Sequence, residues 1–402
     1  MRRLLAILGL LALGAGVVLA AHALWDTTVP GDLKLPDLKA EDHFESTDIR
    51  AGESYTRFTM ITFVLAQVAA IVVLFFYARR GPGLMRKSAA GPIGTGFFLG
   101  MVGTGLVWLA QLPFQVADLW WARDHDVIDV GYLDVILGGW LGLGGRFVAV
   151  CFTLLVAMGL GRLLRNTWWV PAAVGLATIT LALTFVAPLF LLGGSEIERP
   201  GVRQAAAKIA AQEGVPDIPL RIERISDVTP TPNAFAVGLG STRKVVLWDA
   251  ISFFPGRQVR VTLAHEYAHH ARHHLLKEVG WALLVALVSG LVLALVLRRR
   301  GGIAEPRAIP LALLVFALVS LAALPVRSAV SRHYEAEADW RALEVTRDPG
   351  AMTGLFRNFV RAGIDDPDPP AWFHWLADDH PSAIERIAMA RAWGERNGRI
   401  AP

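Results

Sequence analysis

Two histidines four residues apart, with a glutamate directly after the first, make the most chemically specific pattern in this 402-residue sequence: His265, Glu266, Tyr267, Ala268, His269. On a helix, residues i and i+4 share a face, so the two imidazoles can hold one zinc ion. Glu266 then stands where a base acts on the attacking water of a metal-assisted hydrolysis. Residues 258–276 contain neither Pro nor Gly. The pattern therefore predicts one unbroken helix that runs straight into the apolar stretch beyond it.

A catalytic zinc takes three protein ligands and keeps a fourth position for water. Glu335 and Asp339, in the run from Ser331, are again four apart and share a helix face. Glu335 is the candidate third ligand, and Asp339 the candidate acceptor for a ligand histidine's second nitrogen. The bland alternative is a solvated helix face shared with Arg332. Glu337 lies two residues from both, so it points roughly 160° away from each at about 100° per residue. Glu337 and His273 stay open as rival ligands. Otherwise His270, His273 and His274 read as polar residues at a membrane–water boundary.

These residues sit in a strongly apolar chain. Hydrophobic residues make up 54% of it, and the mean hydropathy is +0.44. Runs long enough to cross a bilayer fall at roughly 4–24, 58–78, 92–114, 138–161, 168–193, 279–297 and 308–325. Glycines 138–145 and Arg146 crowd the fourth. The first, behind Arg2 and Arg3 and ending near Ala21-His22-Ala23, reads either as a retained span or as a cleaved signal peptide. The lone cysteine, Cys151, excludes an intramolecular disulfide and reads as a packing residue.

The net charge of +4 is not a nucleic-acid footprint. Its basic residues gather in short loops: Arg79, Arg80, Arg86, Lys87, Arg162, Arg165 and Arg298 to Arg300. Loops 25–57 and 115–137 are instead rich in Asp and Glu. The excess of Lys and Arg places the first group in the cytoplasm.

The chain divides into a five-span region (1–193), an α/β region with the zinc helix (194–278), a two-span hairpin (279–325) and a helical C-terminal region (326–402). Residues 202–213 read as a helix, and 220–228, 235–239 and 244–248 as strands. Residues 328–345 and 382–393 read as helices. Two crossings return the chain to the face it left, so 194–278 and 326–402 lie on one side of the membrane.

The residues His265-Glu266-x-x-His269 and Glu335-x-x-x-Asp339, set before and after a two-span hairpin, resemble the integral-membrane zinc endopeptidases of the CAAX prenyl protease type. The membrane heat-shock zinc proteases share this core. Pro232, Asn233, Ala234, Phe235 and Ala236 resemble the family's strand above the cleft, and His380-Pro381 through Arg386 its C-terminal motif. The resemblance implies one Zn2+ per chain on His265, His269 and Glu335, with Glu266 as general base. It also implies substrate held along Asn233, Ala234, Phe235 and Ala236, and His380 and Arg386 steadying the oxyanion or organising the cleft. Asp339 acts either as a support to a ligand or as a proton donor.

The expectation is a mainly α-helical, multi-pass membrane protein of about seven spans, carrying a small α/β zinc-protease unit of the gluzincin type on one face. Its partners are peptide or protein substrates at the membrane, prenylated ones included, and the lipid bilayer. Its place is a bacterial cytoplasmic membrane. The charge pattern turns the catalytic face away from the cytoplasm, whereas eukaryotic members of the resembled family face the cytosol. Two rivals are a catalytically inactive homologue serving as a membrane scaffold, and a transporter with a structural zinc. The near absence of ionisable residues in the spans argues against the transporter.

Overall fold

The computed structural model describes residues 2–83, 91–190, 194–197, 199–216 and 218–399. The side chains of Arg2, Arg3, Arg146 and Cys151, all of Arg86 and Lys87, and the end of the fifth span lie outside the described residues. Seven long helices coincide with the seven apolar runs: α1 (Arg2–Leu24), α2 (Ser46–Arg80), α3 (Gly91–Asp124), α4 (Tyr132–Leu164), α5 (Trp169–Phe190), α8 (His274–Leu297) and α9 (Ile309–Thr346). Five are long and apolar enough to cross a membrane over their described residues, α1 and α4 being described over shorter apolar stretches. In hydrocarbon, backbone groups must bond within their own segment, which a helix does.

Between α5 and α8 lies the polar unit. It comprises β1 (Ser195–Glu196), α6 (Pro200–Gln212), β2 (Leu220–Glu223), β3 (Ala234–Val237), β4 (Lys244–Trp248) and α7 (Gly256–Ala271). The sheet order is β1-β2-β4-β3, with β2 parallel to β4 and the other pairs antiparallel. β3 is thus an outer strand. The first predicted strand, now β2, stops at Glu223 rather than 228, where Asp249 caps the backbone N–H groups of Ile225 and Ser226 and turns the chain. After α9 come α10 (Pro349–Gly363), α11 (Ala371–Ala377) and α12 (Ala383–Arg396).

α7 is buried on nearly every side, from Val259 through His270. A helix buried all round belongs at the centre of a fold. Leu263, Ala264 and Ala268 have no exposed surface, and the core around them draws in Ile209, Val245, Leu343, Met352 and Ile387.

Two helices differ from expectation in ways that matter for the site. α7 does not run into α8. It ends at Ala271, and His273 adopts the left-handed conformation at φ 56° before α8 starts at His274. A non-glycine residue there is strained and is held by its surroundings. The break turns His274 back toward α7. Conversely, the last span and the helix carrying Glu335 are a single helix, α9, with no break after 325. Glu335 therefore stands on a rigid rod about ten residues, or roughly 15 Å, beyond the apolar half.

The acid-rich loops pack on the face that carries the polar unit. Thr28 donates its N–H to Glu337, Asp129 its N–H to the Val228 carbonyl, and Arg361 pairs with Asp48. At the other end, Gly81 lies against Pro310 and Gly161 against Ile303, beside Arg298–Arg300.

Gly52, in the polar start of α2, allows the loop after α10 to seat on that helix. A Cβ at this position would lie 2.2 Å from the Asp365 carbonyl oxygen. Gly52→Ala is expected to lower stability by about 1–3 kcal/mol, the usual cost of overpacking. Gly175→Ala, in open space on α5, serves as the control. Thermal unfolding in detergent would measure both, and equal midpoints would show that the α2–loop contact is not tight.

Candidate metal centre

α7 and α9 cross so that their polar residues meet. His265 Nε2 and His269 Nε2 are 3.1 Å apart, and Glu335 offers Oε2 at 3.1 Å from the first and Oε1 at 3.4 Å from the second. One donor atom from each of the three lies within 4.8 Å of the others. Glu335 Oε2 is buried without a hydrogen-bond partner.

The remaining ring nitrogens are bound from behind. His265 Nδ1 lies 2.9 Å from Asp339 Oδ1. Asp339 in turn takes both arms of Arg386, at 2.7 and 2.6 Å. His269 Nδ1 lies 3.0 Å from Nδ1 of His274, whose Nε2 is 3.0 Å from Glu337 Oε2. Glu337 also accepts from Arg272 Nε at 2.8 Å and from the Thr28 N–H at 2.6 Å.

These contacts assign the tautomers. An ionised carboxylate only accepts, so His274 carries its proton on Nε2 and its Nδ1 accepts from His269 Nδ1–H. His265 likewise donates from Nδ1. Both Nε2 atoms are then lone pairs aimed at each other and at a carboxylate. Such a set repels itself unless a cation joins it, and two imidazoles with one carboxylate are a zinc donor set. The residues fit the metal.

Glu266 is buried at the floor of a cleft of about 390 Å³ that also exposes His265, Glu335 and Asp339. Burial pushes its carboxyl up to about 7. Asn233 and Ala234 line this cleft, whereas Phe235 and Ala236 continue along β3. His380 sits at the mouth, with Nε2 3.4 Å from Glu335 Oε2 and Nδ1 bonded to Asp379 at 2.8 Å. Arg386 is inside, stacked over Phe356 at 4.1 Å.

Two histidine readings are corrected. His274 is fully buried behind His269 rather than at a membrane boundary. His270 is buried too, donating Nε2–H to the Lys244 carbonyl, and burial holds it down to about 4, hence neutral. Of the three, only His273 is exposed, as a boundary residue would be, and the clustered donor set is His265, His269 and Glu335 without it. Glu337, weighed as a rival ligand, belongs to the His274 network. A five-residue interval from His269 to His274 does not return to one helix face, so nothing in periodicity could place this contact. It depends on the break at His273.

A model described as Peptidase family M48 matches residues 196–394. Over 277 residues the chain is 25% identical to the uncharacterized metalloprotease YhfN of Bacillus subtilis, covering 64% of this chain and 63% of that protein, just under two thirds of its length. It is 29% identical over 266 residues to a protease HtpX homolog of Kineococcus radiotolerans, covering 62% and 84%. The fold is that of the crystal structure of S. mikatae Ste24p, with a TM-score of 0.65, 15% identity, and 93% and 96% of the two chains covered. The matched region takes in the outer strand, both site helices and Arg386, and by it residues 196–394 of the chain belong to peptidase family M48.

Proposed function

We propose that this chain is a zinc endopeptidase cleaving peptides presented at the membrane surface. The observation that carries this is the meeting of two imidazole lone pairs with an unbonded, buried carboxylate oxygen, beside a second carboxyl in an open cleft. When bound by His265, His269 and Glu335, zinc supplies a Lewis acid that polarises the scissile carbonyl and makes water a nucleophile at neutral pH.

The protein's own groups do the rest. Glu266 takes a proton from the attacking water and returns it to the leaving amine. Its raised proton affinity suits both halves of that exchange. β3 offers the free edge of an outer strand, along which a substrate backbone adds as a further strand beside Asn233 and Ala234. His380, at the mouth, polarises the carbonyl oxygen from outside. Arg386 is held by Asp339 through Nε and Nη2 and acts as an organiser. Asp339 orients His265 rather than donating a proton, because Arg386 and His265 both hold it as a carboxylate. On the charge pattern, the catalytic face lies outside the cytoplasm.

Glu266→Gln keeps size and polarity and removes only the base. Hydrolysis of a quenched fluorescent peptide by the detergent-purified protein should fall about 10²–10⁴-fold, with zinc content unchanged. Wild-type rates in this variant would remove Glu266 from the chemistry. Equal inactivity of both proteins with zinc present would favour the scaffold reading, once prenylated and unmodified membrane peptides had both been tried.

His274 is a positioning residue for His269. His274→Ala should weaken zinc binding about 10–100-fold, the usual effect of losing a partner behind a ligand. His274→Asn, whose amide oxygen can accept at the Nδ1 position, should recover part of it. Chelator competition on the full chain measures this apart from activity. An unchanged zinc affinity in His274→Ala would show that His269 needs no such support.

A further inference from the structure

α11 has only seven residues and buries none of them fully. Trp372 and Trp375, three apart and so on one helix face, are 54% and 61% exposed. Two neighbouring indoles left open on a folded surface mark an interaction site.

The opposite side of α11 is firmly held. Phe373 meets the ring of Phe63 edge-on at 5.8 Å. Ser328 Oγ donates to the Leu376 carbonyl at 3.2 Å, and Arg332 donates to the carbonyls of His374 and Asp378 at 2.7 and 2.6 Å. His374 bridges Asp378 and Glu385 at 3.0 and 3.1 Å.

These partners fix the depth of α11. Phe63 lies inside the apolar run of α2, about five residues from its start, and its neighbours Ile61, Val64 and Leu65 face outward where lipid would be. Val326, two residues before Ser328 on α9, also faces outward. The Trp pair sits on a helix held at this level of α2 and α9 and is exposed as those residues are. An indole has an apolar body and an N–H that wants a polar partner, so the rim between hydrocarbon and headgroups suits it best.

We infer that α11 is seated in the interfacial layer of the bilayer on the catalytic side, with Trp372 and Trp375 as anchors and phospholipid at headgroup–carbonyl depth as the partner. Asp378, Asp379 and His380 follow α11 directly and line the cleft. One rim of the cleft is thus held at the membrane surface, and a peptide reaches it along that surface rather than from bulk water. The seat depends on the spanning helices and stands whether or not the cleft hydrolyses peptides.

The test places an environment-sensitive fluorophore on Trp375→Cys in a Cys151→Ser background, using the full chain in phospholipid nanodiscs. Lipids carrying a nitroxide near the headgroup should quench most of the label's emission, and lipids labelled near the chain end much less. Iodide in the water should quench it far less than the same label at Lys208→Cys on the exposed face of α6. Trp372→Cys should behave alike, which guards against a local disturbance at one position. Free quenching by iodide with no effect of either lipid would overturn the inference. So would protection from iodide that depends on protein concentration and not on lipid nitroxide, since a second copy would then be the cover.

Discussion

Two imidazole lone pairs and a carboxylate aimed at one buried point repel one another unless a metal ion or a proton joins them. The arrangement of α7 and α9 follows from holding that point together. His265 and His269 project from one face of a helix buried on all sides, and Glu335 comes from a helix that begins inside the membrane. Each histidine is locked from behind, His265 by Asp339 and Arg386, His269 by His274 and Glu337. The two supports reach different parts of the chain. Arg386 brings in α12, and Glu337 brings in Thr28, just past the first span. Residues 24–28 are tied down further, the Leu24 carbonyl accepting from Tyr334 and the Asp26 carbonyl from Lys277.

Rigid attachment to the membrane is the second constraint. α9 passes from hydrocarbon into the site without interruption, so Glu335 cannot move relative to the bilayer unless the helix bends. α8 starts at the break that aims His274. Gly52 lets the loop behind the cleft close onto α2, and α11 rests against both α2 and α9. The cleft is therefore a fixture of the membrane surface rather than a separate domain on a tether.

Much of this was legible in the sequence. The seven apolar runs are long, and length against bilayer thickness is a robust signal. His265 and His269, like Glu335 and Asp339, are four residues apart, so each pair's shared helix face followed from geometry alone. Other parts were not accessible in that way. The break at His273 replaces an expected continuous helix, because a left-handed residue without glycine leaves no compositional mark. His274 and Glu337 then went unread as a pair, since their contact is tertiary. α10 did carry signals, with Asp348 capping Ala351 ahead of Pro349 and a buried stripe at Met352, Leu355, Phe356 and Val360. α11 is too short for periodicity to reveal.

The central claim is that His265, His269 and Glu335 together hold one metal ion. The direct measurement is zinc content by atomic emission, after dialysis, of the full chain beside His265→Ala, His269→Ala and Glu335→Ala. The account predicts about one zinc per wild-type chain and a large loss in each variant, as expected for a site with three protein ligands. Zinc retained at the wild-type level in Glu335→Ala would move the third ligand elsewhere, and a wild-type chain that holds no zinc would contradict the account from its first pair of histidines.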